Sequence, residues 1–213
     1  MKKLLLGMVT AFMLVGCNND SSPKVVETSA TSKASITGDK IENFKVGEKI
    51  TLKSTMNQEV TLVRTEKGFK IDGEDKILMI DIFGTFCVPC QTEAPHLMDF
   101  QLNAKDNFLM VGLIHFEEVT DQYIVDNFMK KFNAYYFIAN SDKNPNEKII
   151  EQIISDLNYR KSLTVPFKVM YNENGELEKL SNFNNPAGEY YYNGAISTSV
   201  LKDDYKRILD AKN

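Results

Sequence analysis

Ile77-Leu78-Met79-Ile80-Asp81-Ile82-Phe83-Gly84-Thr85-Phe86-Cys87-Val88-Pro89-Cys90-Gln91-Thr92-Glu93-Ala94-Pro95 decides how this chain folds. Ile77 to Phe83 is a nearly continuous apolar run of strand length, the mark of a central strand covered on both faces. Asp81 is the one charge in it. Beyond Cys90, Ala94, Leu97, Met98 and Leu102 recur at helical spacing, so both cysteines sit at or just before a helix N-terminus. Pro95 is expected to kink that helix.

Working outward, Phe108 to Ile114 repeats the buried-strand pattern, and Tyr123 to Phe132 predicts a helix with Ile124, Phe128, Met129 and Phe132 on one side. Tyr135 to Ala139 reads as a short strand. Pro145 opens a helix through Ile149, Ile150, Ile153, Ile154 and Leu157, since proline is tolerated in a first turn. Upstream, Lys49 to Ile71 alternates apolar and polar residues, as short antiparallel strands at a sheet edge do. Downstream, Val165 to Tyr171 and Leu177 to Phe183 flank Asn174-Gly175, a strong hairpin signal. A last helix follows Ser199, with Leu201, Tyr205, Ile208 and Leu209 on its apolar face. The expected class is α/β: a central mixed sheet with helices on both faces, N-terminal edge strands, and a C-terminal hairpin plus helix.

The chain has 213 residues, three cysteines and a net charge of −4. Mixed signs and the absence of a basic stripe remove nucleic acid as a partner. Residues 1–16 read as an export signal: Lys2 and Lys3, then an apolar stretch from Leu4 to Val15 that is too short to span a bilayer. Leu14-Val15-Gly16-Cys17 resembles a bacterial lipobox, which implies cleavage before Cys17 and its acylation; a chance cysteine after an ordinary signal is the alternative. Two or more acyl chains make a stable anchor, each buried CH₂ contributing about 0.8 kcal/mol. Residues 17–40, rich in Ser, Thr, Lys and Asn, are expected to form a flexible tether. Residues 41–213 then make one domain facing the periplasm or extracytoplasmic space, on either the inner or the outer membrane.

With Cys17 assigned to lipidation, Cys87 and Cys90 remain for redox work. A thiolate attacks disulfides, so such chemistry needs one cysteine ionised near neutral pH and a second close enough to resolve the mixed disulfide. Amides at a helix N-terminus favour the thiolate. Cys87, first in the pair, is the expected nucleophile, and Cys90, one turn deeper, the resolving thiol. The competing readings are an inert structural disulfide and half of a zinc site. His96 and His115 stand at no finger-like spacing to the pair, so no metal is expected. The histidines read as a helix-surface and a strand-end residue.

Lys76 to Pro95 resembles the active-site strand, loop and helix of the thioredoxin superfamily, nearest to its membrane-tethered bacterial disulfide reductases of the TlpA and ResA type. The resemblance implies a thioredoxin-like fold from about Ile41 onward. It implies that Asp81 is a buried carboxyl helping to move the resolving thiol's proton, and burial would raise its pKa. It matches Glu93 to an acidic residue kept near the active site, and Val165-Pro166 to the cis-proline loop that lies against the disulfide. Phe86 stands where the family usually has Trp. No His lies between the cysteines, which implies a reducing to intermediate potential.

The activity implied is thiol-disulfide exchange without a bound cofactor, on protein disulfides such as those of apocytochrome c, reset by a membrane electron donor. The alternatives are an oxidase or isomerase of the same fold, and a non-catalytic envelope lipoprotein.

Overall fold

The computed structural model describes residues 42–104, 106–182 and 185–211. The export signal, Cys17 and the tether to Lys40 lie outside the described residues.

The alternating N-terminal segment forms β1 (Lys49–Lys53), β2 (Glu59–Arg64) and β3 (Phe69–Ile71). These strands make an antiparallel sheet of their own, in the order β1-β2-β3. Ser54, just past β1, bridges to Ala139, and the Thr55 amide donates to the Ile138 carbonyl at 2.9 Å, so the edge contact expected of this segment is confined to that junction. β4 (Ile77–Phe83) is buried along its whole length, as its apolar run predicts. α1 (Val88–Ala104) follows it and leads to β5 (Phe108–Ile114), which lies parallel to β4.

α2 (Asp121–Ile124) continues through a π-helical turn, Val125–Met129, into α3 (Lys130–Phe132). β6 (Phe137–Ala139) joins β5 in parallel, and α4 (Asn146–Asp156) starts after Pro145. β7 (Phe167–Tyr171) lies antiparallel to β4 on its other side.

The turn at Asn174-Gly175 forms, with Gly175 at φ +79° and the Gly175 amide donating to Asn172 at 2.9 Å. Its second arm pairs with β7 only briefly, at the Tyr171–Leu177 bridge, before leaving as β8 (Leu180–Asn182), which pairs with β9 (Asn185–Glu189). β10 (Tyr192–Asn193) is the strand that flanks β7, and α5 (Thr198–Asp210) closes the chain.

The main sheet therefore runs β10-β7-β4-β5-β6. Side chains alternate across it. Ile77, Met79 and Phe83 face α1, α2–α3 and α5, and join Leu97, Phe100, Phe128, Leu201 and Ile208 in one core. Leu78, Ile80 and Ile82 face the other way, against α4 and the three-stranded sheet. On α1 the buried face holds Ala94, Leu97, Phe100 and Ala104. Leu102, expected on that face, is exposed; Phe100, three residues after Leu97, takes the place that spacing offers.

Candidate active site

Cys87 and Cys90 are joined as a disulfide at the end of the β4–α1 loop. Cys87 is the residue just before α1, and its carbonyl accepts the first helical bond from Gln91 at 3.0 Å. Its Sγ in turn accepts from the Cys90 amide at 3.3 Å. The sulfur thus occupies the position a serine hydroxyl takes when it caps a helix. Helix amides offer partial positive charge there, which favours anionic sulfur. Cys87 is 6% exposed and Cys90 2%, so the first sulfur is the one nearer solvent, and exposed Phe86 and Val88 flank it.

The loop carrying Cys87 is held from below. Glu117 accepts from both the amide and the hydroxyl of Thr85, the latter at 2.7 Å, and the Gln91 side chain donates to the Thr85 carbonyl at 2.7 Å. Gly84 leaves room for the Phe86 ring, which lies 2.5 Å from where a Cβ would stand. The Val165–Pro166 peptide is cis, and the Val165 carbonyl oxygen lies 3.6 Å from Cys87 Sγ.

The two acidic residues singled out in the sequence lie on the elements that flank the pair, Asp81 on β4 and Glu93 on α1, one turn beyond Cys90. Asp81 is 1% exposed and Glu93 4%, so neither is a solvated carboxylate. Between them stands Lys168, fully buried on β7; its Nζ donates to Glu93 and lies 3.5 Å from Asp81. Glu93's other oxygen accepts from the Ile196 amide at 3.1 Å. Burial, opposed by Lys168, pushes the Glu93 carboxyl up to about 7, and the nearby Asp81 charge adds to the rise. Asp81 is raised as well, by burial first, again against the pull of Lys168.

The structure brings Cys87, Cys90, Asp81, Glu93, Phe86 and Pro166, the residues singled out in the sequence, to one end of β4. Lys168, Glu117 and the Ile196 amide, which touch this group, were not singled out there. A lone lysine in the apolar strand Phe167-Lys168-Val169-Met170-Tyr171 was the available signal for the first.

His96 is exposed on α1. His115 Nδ1 lies 2.7 Å from the Glu147 carboxylate, in a cleft of about 510 Å³ against α4 that does not include the disulfide. Among the described residues no three His, Cys, Asp or Glu side chains converge where they could hold a metal ion.

No protein-family model matches the chain, and no curated protein matches it either. Solved structures do. A thiol:disulfide interchange protein of the thioredoxin family from Chlorobium tepidum is 16% identical, with a TM-score of 0.52 over 79% of this chain and 98% of that one. StoA from Bacillus subtilis is 17% identical, with a TM-score of 0.50 over 76% and 98%. A thiol-disulfide oxidoreductase from Bacteroides fragilis is 13% identical, with a TM-score of 0.50 over 77% and 99%. At these identities the likeness establishes the fold, and the fold is that of thioredoxin.

Proposed function

We propose that this protein is an exported, lipid-anchored thiol-disulfide oxidoreductase that reduces disulfides of envelope proteins through Cys87 and Cys90. The observation that carries the reading is the sulfur pair itself, capping a helix N-terminus and facing the cis Val165–Pro166 peptide. An inert structural bridge needs neither feature.

In the dithiol form, the Cys87 thiolate attacks one sulfur of a substrate disulfide. The new bond joins Cys87 to the substrate, and the substrate's own S–S bond breaks, its electron pair leaving on the second sulfur, which takes a proton. Cys90 then attacks Cys87, displaces the substrate as a thiol and closes the intramolecular disulfide. The substrate has gained two electrons and the pair has lost two. A membrane electron donor returns them, so no bound cofactor takes part. Apocytochrome c belongs to the substrate class that such a cycle serves. Direction follows from potential: the thioredoxin and strongly oxidising ends of this family differ by about 150 mV, about 7 kcal/mol for two electrons.

Insulin reduction in a dithiol buffer tests the reading. Wild type is expected to accelerate it, and Cys87→Ser to fall to the buffer rate. Serine keeps an oxygen where the cap acceptor stood, so the variant removes the chemistry and leaves the helix start intact. Equal rates for the two proteins would end the catalytic reading, whereas Cys90→Ser should accumulate mixed disulfides.

A further inference from the structure

Lys168 is a fully buried charge that takes no part in the cycle above. Lys168 lies in a row of residues abreast on four strands, with Gly112, Asp81, Lys168 and Tyr192 in register on the face that carries α1. Gly112 contributes no side chain, and a Cβ there would stand 3.2 Å from the Tyr136 ring. Tyr136 is itself buried, and burial first, then the charges of Asp81 and Glu93, hold its phenol well above the usual range, so it stays protonated. At the other end of the row the Tyr192 hydroxyl is already engaged, donating to Asp204 at 2.5 Å. From above, α1 supplies Cys90 and Glu93, and the segment before α5 supplies the Ile196 amide. Among the described residues Lys168 is therefore the one fully buried cation in contact with two carboxyls.

The two carboxyls are not equivalent. Both oxygens of Glu93 accept hydrogen bonds, from Lys168 and from Ile196. Asp81 Oδ1 accepts none, although it is buried. With both groups ionised the cluster would carry one uncompensated negative charge, which apolar surroundings strongly disfavour. With one proton it is neutral.

We propose that Lys168 is a positioning residue that divides the work between these two acids, holding Glu93 as a carboxylate beside Cys90 while Asp81 keeps a single proton. This rests on the oxidoreductase reading only for its use. During resolution the Cys90 S–H proton passes to the Glu93 carboxylate. The freed sulfur pair bonds to Cys87, the Cys87–substrate bond breaks, and its electrons leave with the substrate sulfur. Glu93 then releases the proton to solvent. With Lys168 gone both acids are protonated, and no base remains beside Cys90.

Infrared spectroscopy of the oxidised protein at pH 8 reads the proton count directly, through the C=O stretch of buried protonated carboxyls. Wild type is expected to show one such band, and Lys168→Met about twice its intensity, because both carboxyls then bind protons. Lys168→Arg should restore the wild-type band. In Glu93→Gln, Asp81 becomes the sole partner of the ammonium, so the band is expected to vanish. An unchanged band in Lys168→Met, or one retained in full in Glu93→Gln, overturns the proposal, and the second variant decides should the first fail to fold.

Single-turnover insulin reduction tests the use. Lys168→Met is expected to slow resolution of the mixed disulfide about a hundredfold and to leave the alkylation rate of Cys87 unchanged. Resolution at the wild-type rate overturns the assignment of Glu93 as base. If wild type shows the infrared pattern and does not reduce insulin, the oxidoreductase reading falls and the division of protons stands.

Discussion

Glu93 ties the proposed chemistry of this site to the stability of the fold. Its carboxyl is held near 7 in the folded chain against an ordinary 4.5, chiefly by burial. Between those values the folded state binds a proton that the unfolded state has lost, so stability is fully present below about pH 4.5 and declines as pH rises toward about 7. The decline amounts to about 3 kcal/mol at about 1.4 kcal/mol per unit. Urea unfolding at pH 5 and pH 8 should therefore weaken wild type relative to Glu93→Gln by about that amount; parallel pH profiles for the two proteins would contradict it. Asp81 was legible in the sequence because it interrupts an apolar strand, and Glu93 only through the family resemblance, since a glutamate on a helix ordinarily faces water. Lys168 was not, since lysine ordinarily keeps its ammonium in water. Its burial follows from the register that sets it opposite Asp81, and that pairing of distant segments is not written in either segment alone. Glu117 escaped for a similar reason, as only the folded β5–α2 connection brings it beneath Thr85.

At the scale of elements, the half of the molecule away from the disulfide is fastened by a buried ion pair. Arg64 at the end of β2 meets Asp156 at the end of α4, with Nη1–Oδ2 at 2.5 Å and Nη2–Oδ1 at 2.8 Å. The guanidinium also donates to the Gly68 carbonyl at 3.0 Å and lies 5.3 Å from the centre of the Phe69 ring. Asp156→Ala would leave that cation buried without its partner, a loss of about 3 to 5 kcal/mol. A fall in the urea midpoint equivalent to that loss is expected, and an unchanged midpoint would show the pair to be dispensable. The central strands were readable because residues buried on both faces leave an unbroken apolar run. Elements whose partners lie elsewhere were less so. Asn174-Gly175 marks a turn and says nothing of where the following arm goes, and that arm leaves β7 to pair with β9. The π-helical turn at Val125–Met129 was equally silent, although it lies inside the helix predicted there.

For the molecule as a whole, the resemblance and the apolar pattern anticipated the fold because local preference and burial agree over most of its length. The proposed anchor belongs to this scale, since it would decide where the domain works. Cys17→Ser is expected to move the protein from the membrane fraction to the soluble one without altering insulin reduction in vitro; continued sedimentation with membranes would remove the acylated cysteine as the tether. The main sheet also divides the interior. Cys87, Cys90 and their carboxyls lie on one side, and Leu52, Leu62, Phe69 and Ile71 pack on the other. The sheet acts as a bulkhead between the compartment that holds the disulfide and the one packed against α4 and the three-stranded sheet. A library randomised at those four positions would thus report on foldability alone, and survivors from it should keep an unaltered redox potential.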